Sequence, residues 1–273
     1  MAPPILKPIK CVFCGSGKNI TREHVMPAWL RKEFPPKYNE YSGHSIAIDR
    51  IDDALVIRPR LGGEKISLGS RKLSMVCATC NNGWMSALQI KASPILKRMI
   101  RGDWTGFEGT QGAIISAWIA MTASVIAMST REAEGVPLAD RRMICDTKAA
   151  PPEWRIFAGK CGGLDEMFYE NNPALAVMRA MLPVKPKTPA NTCITTIAIG
   201  QVILQSINRP AWAAAYDPVL YAYDVGLFPI QPWDGEHLAL DELPIARFGS
   251  PEWNRIRMAF RDTLLRGDHG WQA

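Results

Sequence analysis

The sequence contains no internal repeat, no low-complexity tract and no uninterrupted apolar run of the roughly 20 residues that a bilayer-spanning helix needs. It opens without the basic stretch, apolar stretch and cleavage site of a secretory leader. Its hydrophobic fraction of 47% is too high for a disordered chain. These features argue against a repeat protein, a disordered protein and a membrane protein, and we expect a cytoplasmic location.

The chain also lacks the even cysteine count of a disulfide framework, because it has seven cysteines. Three of them, Cys145, Cys161 and Cys193, stand singly in apolar or loop surroundings, and we expect them to be small buried hydrophobes. The most apolar stretch, Ala113 to Met128, is short for a bilayer and is interrupted by hydroxyl side chains. It is expected to form a buried core helix.

Charge is distributed unevenly along the chain. Residues 1–101 carry 17 Lys and Arg against 7 Asp and Glu, a net charge of +10, whereas residues 102–273 carry 15 against 19, a net charge of −4. A basic first third favours a polyanionic partner such as nucleic acid, although many basic regions only keep a domain soluble. With 273 residues, the chain is long enough for one or two globular domains.

The four remaining cysteines form two CxxC pairs, Cys11/Cys14 and Cys77/Cys80. Each pair places two thiolates on one tight turn, and two such turns together supply the four soft ligands of a tetrahedral Zn²⁺ site. The spacing therefore predicts a structural zinc ion that ties residue 11 to residue 80. A thiol redox protein is the weaker interpretation, because neither pair lies in the strand-to-helix setting that redox CxxC motifs need.

Local patterns predict the elements around these cysteines. Pro27 suits the first position of a short helix that ends at Phe34, before two further prolines. Short apolar runs separated by polar and glycine pairs predict β-hairpins over residues 44–76, which would return Cys77 to Cys11. A helix is expected from about Asn82 to Lys91, with a break or kink at Pro94 and a second helical segment to Arg101.

The glycine-rich segment 102–111 is the predicted boundary between two domains, residues 1–101 and residues 102–273. The second half is predicted to be α+β. It contains no motif that indicates a catalytic activity or a protein partner. Its expected elements are helices over 113–128, 137–146 and 251–265, a strand over 154–158, a long strand or hairpin over 191–207, and strands over 219–223 and 227–231.

The first third resembles the HNH endonuclease family, in the branch whose ββα-metal finger is held by a four-cysteine zinc site. The resemblance covers residues 11 to about 92, roughly a third of the chain, and is specific because order, spacing and flanking residues agree. It implies an HNH-like finger, a metal-dependent endonuclease activity and a nucleic-acid substrate, with double-stranded DNA expected. The matching residues are Cys11, Cys14, Thr21, Glu23, His24, Pro27, Trp29, Cys77, Cys80, Asn81, Gly83, Trp84 and Met85.

Phosphodiester hydrolysis needs an activated water, a cation and a group that holds the base in place. His24, with an ordinary pKa near 6.5, is the candidate general base. Glu23 offers an oxygen ligand that suits Mg²⁺ or Mn²⁺. The resemblance implies that Asn81 orients His24. Because adjacent residues of a flat strand face opposite ways, Glu23 and His24 serve one site only where the backbone bends.

Gln89 departs from the family pattern. On an ideal helix it lies about 80° around from Asn81, close enough to face the catalytic cation. The family usually carries His, Asn or an acidic residue there, and a neutral amide is a poorer ligand for a hard cation. Either Gln89 suffices with bound waters, or another carboxylate replaces it, or the finger is a catalytically inactive zinc module that binds nucleic acid or protein. The last possibility is the alternative function.

Overall fold

The computed structural model describes ten segments of the chain. Between them they hold ten β-strands and five α-helices, together with a π-helical turn and a short helical segment over 251–256. The protein is of the mixed α+β class, as the sequence predicts. The described residues are 10–34, 44–51, 54–61, 72–129, 135–162, 167–174, 192–208, 226–231, 244–247 and 250–256.

The first sheet joins the two parts of the cysteine motif. Strand β1 (Ile20–His24) pairs antiparallel with β4 (Lys72–Cys77), so that Ile20 lies opposite Cys77 and His24 opposite Lys72. The register shifts between Thr21 and Arg22, where β4 carries one additional residue, Met75. The backbone oxygen of Met75 accepts a hydrogen bond of 2.9 Å from the Val12 N–H, which ties this sheet to the first cysteine turn.

The chain between β1 and β4 forms a helix and a hairpin, as predicted. Helix α1 (Ala28–Glu33) starts after Pro27, and its Leu30 side chain is fully buried. Strands β2 (His44–Ile51) and β3 (Ala54–Leu61) pair antiparallel over their full lengths. The Asp-Asp and Gly-Gly turns expected at 52–53 and 62–63 lie outside the described residues.

Helical chain follows β4, with a kink at Gly83, whose φ of −91° and ψ of −110° are not helical. It consists of α2 (Ala78–Cys80), a π-helical turn (Asn81–Met85) and α3 (Ser86–Ile100). The helix starts earlier than the predicted Asn82, because Cys77 ends β4 and serves as the N-cap. It also runs through Pro94 to Ile100, so the predicted break at Pro94 is wrong, whereas the alternative of a kink there stays a prediction. Lys97 and Arg101 form ion pairs with Glu33, at 3.0 and 3.2 Å, and so link α1 to α3.

Helix α4 is the core helix of the protein. It spans Gly109–Ser129, and by length and composition it could cross a membrane, yet 78% of its apolar window is buried inside the molecule. Its buried Ser116 hydroxyl donates to the Ile230 carbonyl, and the Ser124 hydroxyl to the Ala120 carbonyl within the helix. These bonds explain how the two serines are tolerated in an apolar helix. Helix α5 (Leu138–Thr147) follows, close to its predicted bounds.

A six-stranded sheet forms the rest of the described fold. Strand β5 pairs with β8 on one edge and with β9 and then β10 along the other, while β8 continues through β7 to β6; only the β10–β5 pairing is parallel. The segment predicted as a long strand or hairpin is a hairpin that turns at Gly200, whose φ is +54°. The strands are β5 (Arg155–Gly162), β6 (Met167–Ala174), β7 (Thr192–Ile199), β8 (Val202–Ile207), β9 (Leu227–Gln231) and β10 (Ile245–Arg247).

Both faces of this sheet are covered. Alternate side chains of β5, such as Ile156 and Phe157, enter different apolar clusters, as the two-residue period of a strand requires. The first cluster contains α4, and the second contains Trp253 and Ile256 of the C-terminal helical segment. The strand predicted over 219–223 and the helix predicted beyond residue 256 lie outside the described residues.

The apolar core is continuous across the predicted boundary at 101/102. Leu96, Met99 and Ile100 of α3 belong to the same buried cluster as Trp118 of α4. At the hairpin turn, the Gln201 N–H donates to the Ile100 carbonyl at 2.9 Å. The two-domain division remains a prediction, but the two halves share one core.

Candidate metal centre and adjoining site

The first cysteine turn is a compact loop closed by its own backbone. The Cys11 N–H donates to the Ser16 carbonyl at 2.7 Å, and the Gly15 N–H donates to the Cys11 carbonyl at 2.9 Å. Gly15 has a φ of +77°, in the left-handed region that favours glycine, so the chain can reverse directly after Cys14. The second cysteine turn is the junction between β4 and α2, where Cys77 is extended and Cys80 helical.

The two turns bring four thiols together. The sulfur atoms of Cys11, Cys14, Cys77 and Cys80 all lie within 4.8 Å of one another, and the Cys14 and Cys77 sulfurs are 3.6 Å apart. A tetrahedral zinc ion with Zn–S bonds of about 2.3 Å requires sulfur separations of about 3.8 Å. All four cysteines are free and three are buried. The cluster could therefore hold a metal ion such as zinc, as the spacing predicts.

The electrostatics of the cluster favour a thiolate at Cys11. Burial raises the pKa of this thiol, but hydrogen bonds from the backbone N–H groups of Cys77, Cys14 and Phe13 and from the Cys14 side chain outweigh that effect, and the pKa falls to about 7. Burial raises the pKa of Cys14 and of Cys80. Since a metal ion binds the deprotonated form, N–H donors aimed at Cys11 supply part of the charge stabilisation that the site needs.

Helix α5 lies against the cluster, a neighbour that the sequence does not reveal. The Arg141 side chain donates through Nη1 to the Val12 carbonyl at 2.6 Å and through Nε to the Val136 carbonyl at 3.1 Å. Burial raises the pKa of the Cys145 thiol, and a hydrogen bond with Cys80 acts in the opposite direction. Cys145 is buried, as expected for a small hydrophobe, but it also lies next to a candidate metal ligand.

The aromatic residues of the motif pack around the cluster. Trp84 meets Phe13 edge to face, with ring centroids 5.2 Å apart, and the Lys148 ammonium lies 5.2 Å from the Trp84 ring centroid. Met85 is buried in the core. The tryptophan and methionine that follow Cys80 therefore serve as packing for the cysteine turns.

Asn81 connects the cluster to β1. The residue follows Cys80 directly, and its side-chain nitrogen donates to the Thr21 hydroxyl oxygen at 3.1 Å. The Asn81 side chain also lowers the pKa of the Glu23 carboxyl, so the two groups lie close together. Thr21 and Glu23 are two residues apart on β1, so the strand period places them on one face, where a single amide reaches both. The structure thus brings Asn81 and Glu23 together, whereas the predicted contact of Asn81 with His24 stays a prediction.

Glu23 is a partly buried carboxylate in a mixed environment. Burial raises its pKa, while the Asn81 side chain, the His24 backbone N–H and the charge of Lys72 act in the opposite direction, and the net change is upward. A partly desolvated carboxyl group keeps its proton more readily than an exposed one.

His24 is the last residue of β1 and is half-buried. Glu23 and His24 pair regularly with Leu73 and Lys72, and the irregularity of the strand lies one step earlier, between Thr21 and Arg22. The strand itself therefore does not turn the Glu23 and His24 side chains to one face. Any convergence of these two groups depends on the end of the strand, directly after His24, where the chain leaves the sheet toward α1.

The contacts of Gln89 differ from those of the other candidates. Its side-chain oxygen accepts hydrogen bonds from the indole N–H groups of Trp29, at 3.3 Å, and Trp118, at 2.8 Å. An amide oxygen has two lone pairs, and these two donors use both. The contacts favour a structural role for Gln89, as a link between α1, α3 and α4, over the predicted role as a metal ligand.

Comparisons of this chain with protein-family models, curated proteins and solved structures find no match. The α+β fold with its four-cysteine cluster thus defines the class of protein, a candidate metal-binding protein. Function has to be inferred from the residues around that cluster.

Proposed function

We propose that the protein is a metal-dependent HNH-type endonuclease that hydrolyses phosphodiester bonds of DNA. The observation that carries the proposal is the position of Asn81, which follows a cluster cysteine, hydrogen-bonds Thr21 and lies close enough to Glu23 to lower the pKa of its carboxyl, on the strand that ends in His24. Two antiparallel strands followed by a helix, with a four-cysteine cluster at their junction, support an HNH-like finger over residues 11 to about 92.

In the proposed reaction His24 removes a proton from the attacking water, which adds to phosphorus in line with the leaving 3′-oxygen. Glu23 would hold the divalent cation, and the oxygen of Asn81 orients the His24 ring. A bound Mg²⁺ or Mn²⁺ would supply charge stabilisation at the leaving oxygen. Because the bond broken is the one to the 3′-oxygen, the products carry 5′-phosphate and 3′-hydroxyl ends.

The cysteine cluster would act only as a structural zinc site. Four cysteine ligands close the tetrahedral shell and leave no position for water or substrate. Its contribution is to fix the distance between β1, which carries Glu23 and His24, and the helix start that carries Asn81. The basic charge of residues 1–101 would attract the DNA backbone.

The test is plasmid cleavage in Mg²⁺ or Mn²⁺ by the purified, zinc-loaded full chain, beside His24→Ala. The rate of cleavage by His24→Ala should be about 10²- to 10⁴-fold lower than that of wild type, which is the usual contribution of a general base. The matched control is Lys18→Ala, an exposed residue beside the cluster, with its zinc content measured like that of His24→Ala. Equal cleavage by wild type and His24→Ala, or 3′-phosphate ends on end-labelled products, would contradict the proposal.

A second candidate function is a catalytically inactive zinc module that binds nucleic acid or protein. The two indole donors on the Gln89 oxygen favour it, because they remove one expected ligand from the cation site. The inactive module predicts salt-sensitive DNA binding with no cleavage in any divalent metal. Binding that weakens as salt rises, together with cleavage that depends on His24, would exclude it.

A further inference from the structure

Thr21 has a hydrogen-bonding pattern that determines the orientation of Asn81. Its hydroxyl donates to the Val76 carbonyl at 2.9 Å. A hydroxyl has a single proton, and a carbonyl oxygen has none to give, so this bond commits the only proton of Thr21. The Thr21 oxygen can then act toward Asn81 only as an acceptor.

This acceptor determines which end of the Asn81 carboxamide, the nitrogen or the oxygen, faces Thr21. The nitrogen and oxygen of an amide have nearly the same shape, and the partner must distinguish them. An acceptor at Thr21 demands the NH₂ group, which lies 3.1 Å away. The second proton of the same nitrogen suits the Glu23 carboxylate, which lies on the same face of β1.

We propose that Thr21 is a positioning residue of the nuclease site: it holds the Asn81 nitrogen against Thr21 and so leaves the Asn81 oxygen as the end of the amide that is available to the His24 ring, where the chain leaves β1. The inference rests on the proposed function, because it assigns Thr21 a role in the orientation of His24. Thr21 itself touches neither the DNA nor the cation. The Val76 carbonyl is a fixed reference for this arrangement, since Val76 is fully buried and lies next to the ligand Cys77.

The kinetic test compares Thr21→Val, which keeps the side-chain shape and removes the hydroxyl, with Thr21→Ser, which keeps the hydroxyl. In the zinc-loaded full chain, Thr21→Val should lower kcat for DNA cleavage by about 10- to 100-fold, the range expected for a misplaced catalytic group, and leave KM unchanged. Thr21→Ser should stay within about threefold of wild type. Equal losses in the two variants, or a loss confined to KM, would overturn the inference.

A second measurement separates this inference from the proposed function. The ¹⁵N side-chain amide signal of Asn81, assigned with Asn81→Ala, reports its hydrogen bonds whether or not the protein cleaves DNA. Slow exchange of these protons in wild type and Thr21→Ser, with faster exchange in Thr21→Val, is the expected result. Equal exchange in all three proteins would refute the positioning role, whereas an inactive wild type with the expected exchange pattern would refute only the nuclease.

Discussion

Cys77 and Cys161 are a natural pair for a test of the metal centre. Both are buried, and each lies on a strand, Cys77 in β4 and Cys161 in β5 outside the cluster. Cys77→Ser should abolish stoichiometric zinc binding and lower the unfolding free energy by several kcal/mol, since metal binding and folding are coupled at such sites. Cys161→Ser should keep its zinc and cost on the order of 1–3 kcal/mol, the usual penalty for a buried hydroxyl.

The check is zinc content by metal analysis, together with thermal unfolding of both variants. Full zinc occupancy in Cys77→Ser would show that the ion does not need Cys77 and would contradict the four-cysteine site.

For Gln89 the sequence predicts a metal ligand, whereas the structure favours a structural role. Gln89→Leu removes the acceptor for two indole N–H groups, and Trp118 is fully buried, so the unfolding free energy should fall by about 1–3 kcal/mol. Gln89→Glu keeps an acceptor oxygen and should be close to wild type in stability. Denaturant unfolding of the three proteins checks this order.

The Mg²⁺ dependence of cleavage provides the control for Gln89. If the side chain only joins α1, α3 and α4, the Mg²⁺ concentration for half-maximal activity should be the same in Gln89→Leu as in wild type, below the unfolding temperature. Unchanged stability with a raised Mg²⁺ requirement would instead establish Gln89 as a ligand.

At the scale of elements, α5 determines how firmly the first cysteine turn is held. Arg141 fastens the Val12 carbonyl from the second half of the chain, at 2.6 Å. Arg141→Leu leaves that carbonyl and the Val136 carbonyl without their donor. If the lost hydrogen bonds had stabilised the zinc-bound state by about 1.4 kcal/mol, zinc transfer to a chelator should become about 10-fold faster. An exposed arginine on β10 offers the matched control, Arg247→Leu, which should release zinc at the wild-type rate.

For the whole molecule, the shared core predicts cooperative unfolding. Residues 1–101 expressed alone would expose the α3 face that carries Leu96, Met99 and Ile100, and we expect this fragment to bind a hydrophobic dye and to unfold without a sharp transition even with zinc. The full chain should unfold in one transition. Calorimetry is the measurement that checks this. Two transitions in the full chain, with one of them reproduced by the isolated fragment, would support two domains divided at 101/102.

Much of the local structure could be predicted from sequence because its causes are local. Pro27 and the prolines after Phe34 bound α1, alternating β-branched residues and Gly200 predict the β7–β8 hairpin, and the hydroxyl-interrupted apolar run predicts the buried helix α4. The four-cysteine cluster was also accessible, because the ligand type and the CxxC spacing are sequence properties. The ion itself, the HNH-type finger and the nuclease activity stay predictions.

Other features depended on tertiary structure. An ideal helix places Gln89 about 80° around from Asn81, but the kink at Gly83 changes the angular register, and Gln89 faces two tryptophans instead. The course of α3 through Pro94 likewise depended on packing, since buried Leu96, Met99 and Ile100 after the proline hold the helix in the core.

The sequence by itself determined which residue types can bind a metal and which segments are helices or strands, because both follow from side-chain chemistry and short-range periodicity. Tertiary structure decided that Asn81 meets Thr21 and Glu23, that Arg141 holds the first cysteine turn and that both halves share one core. These contacts join residues 60 and 129 positions apart. Only the packing of the whole chain brings such distant groups within hydrogen-bonding distance.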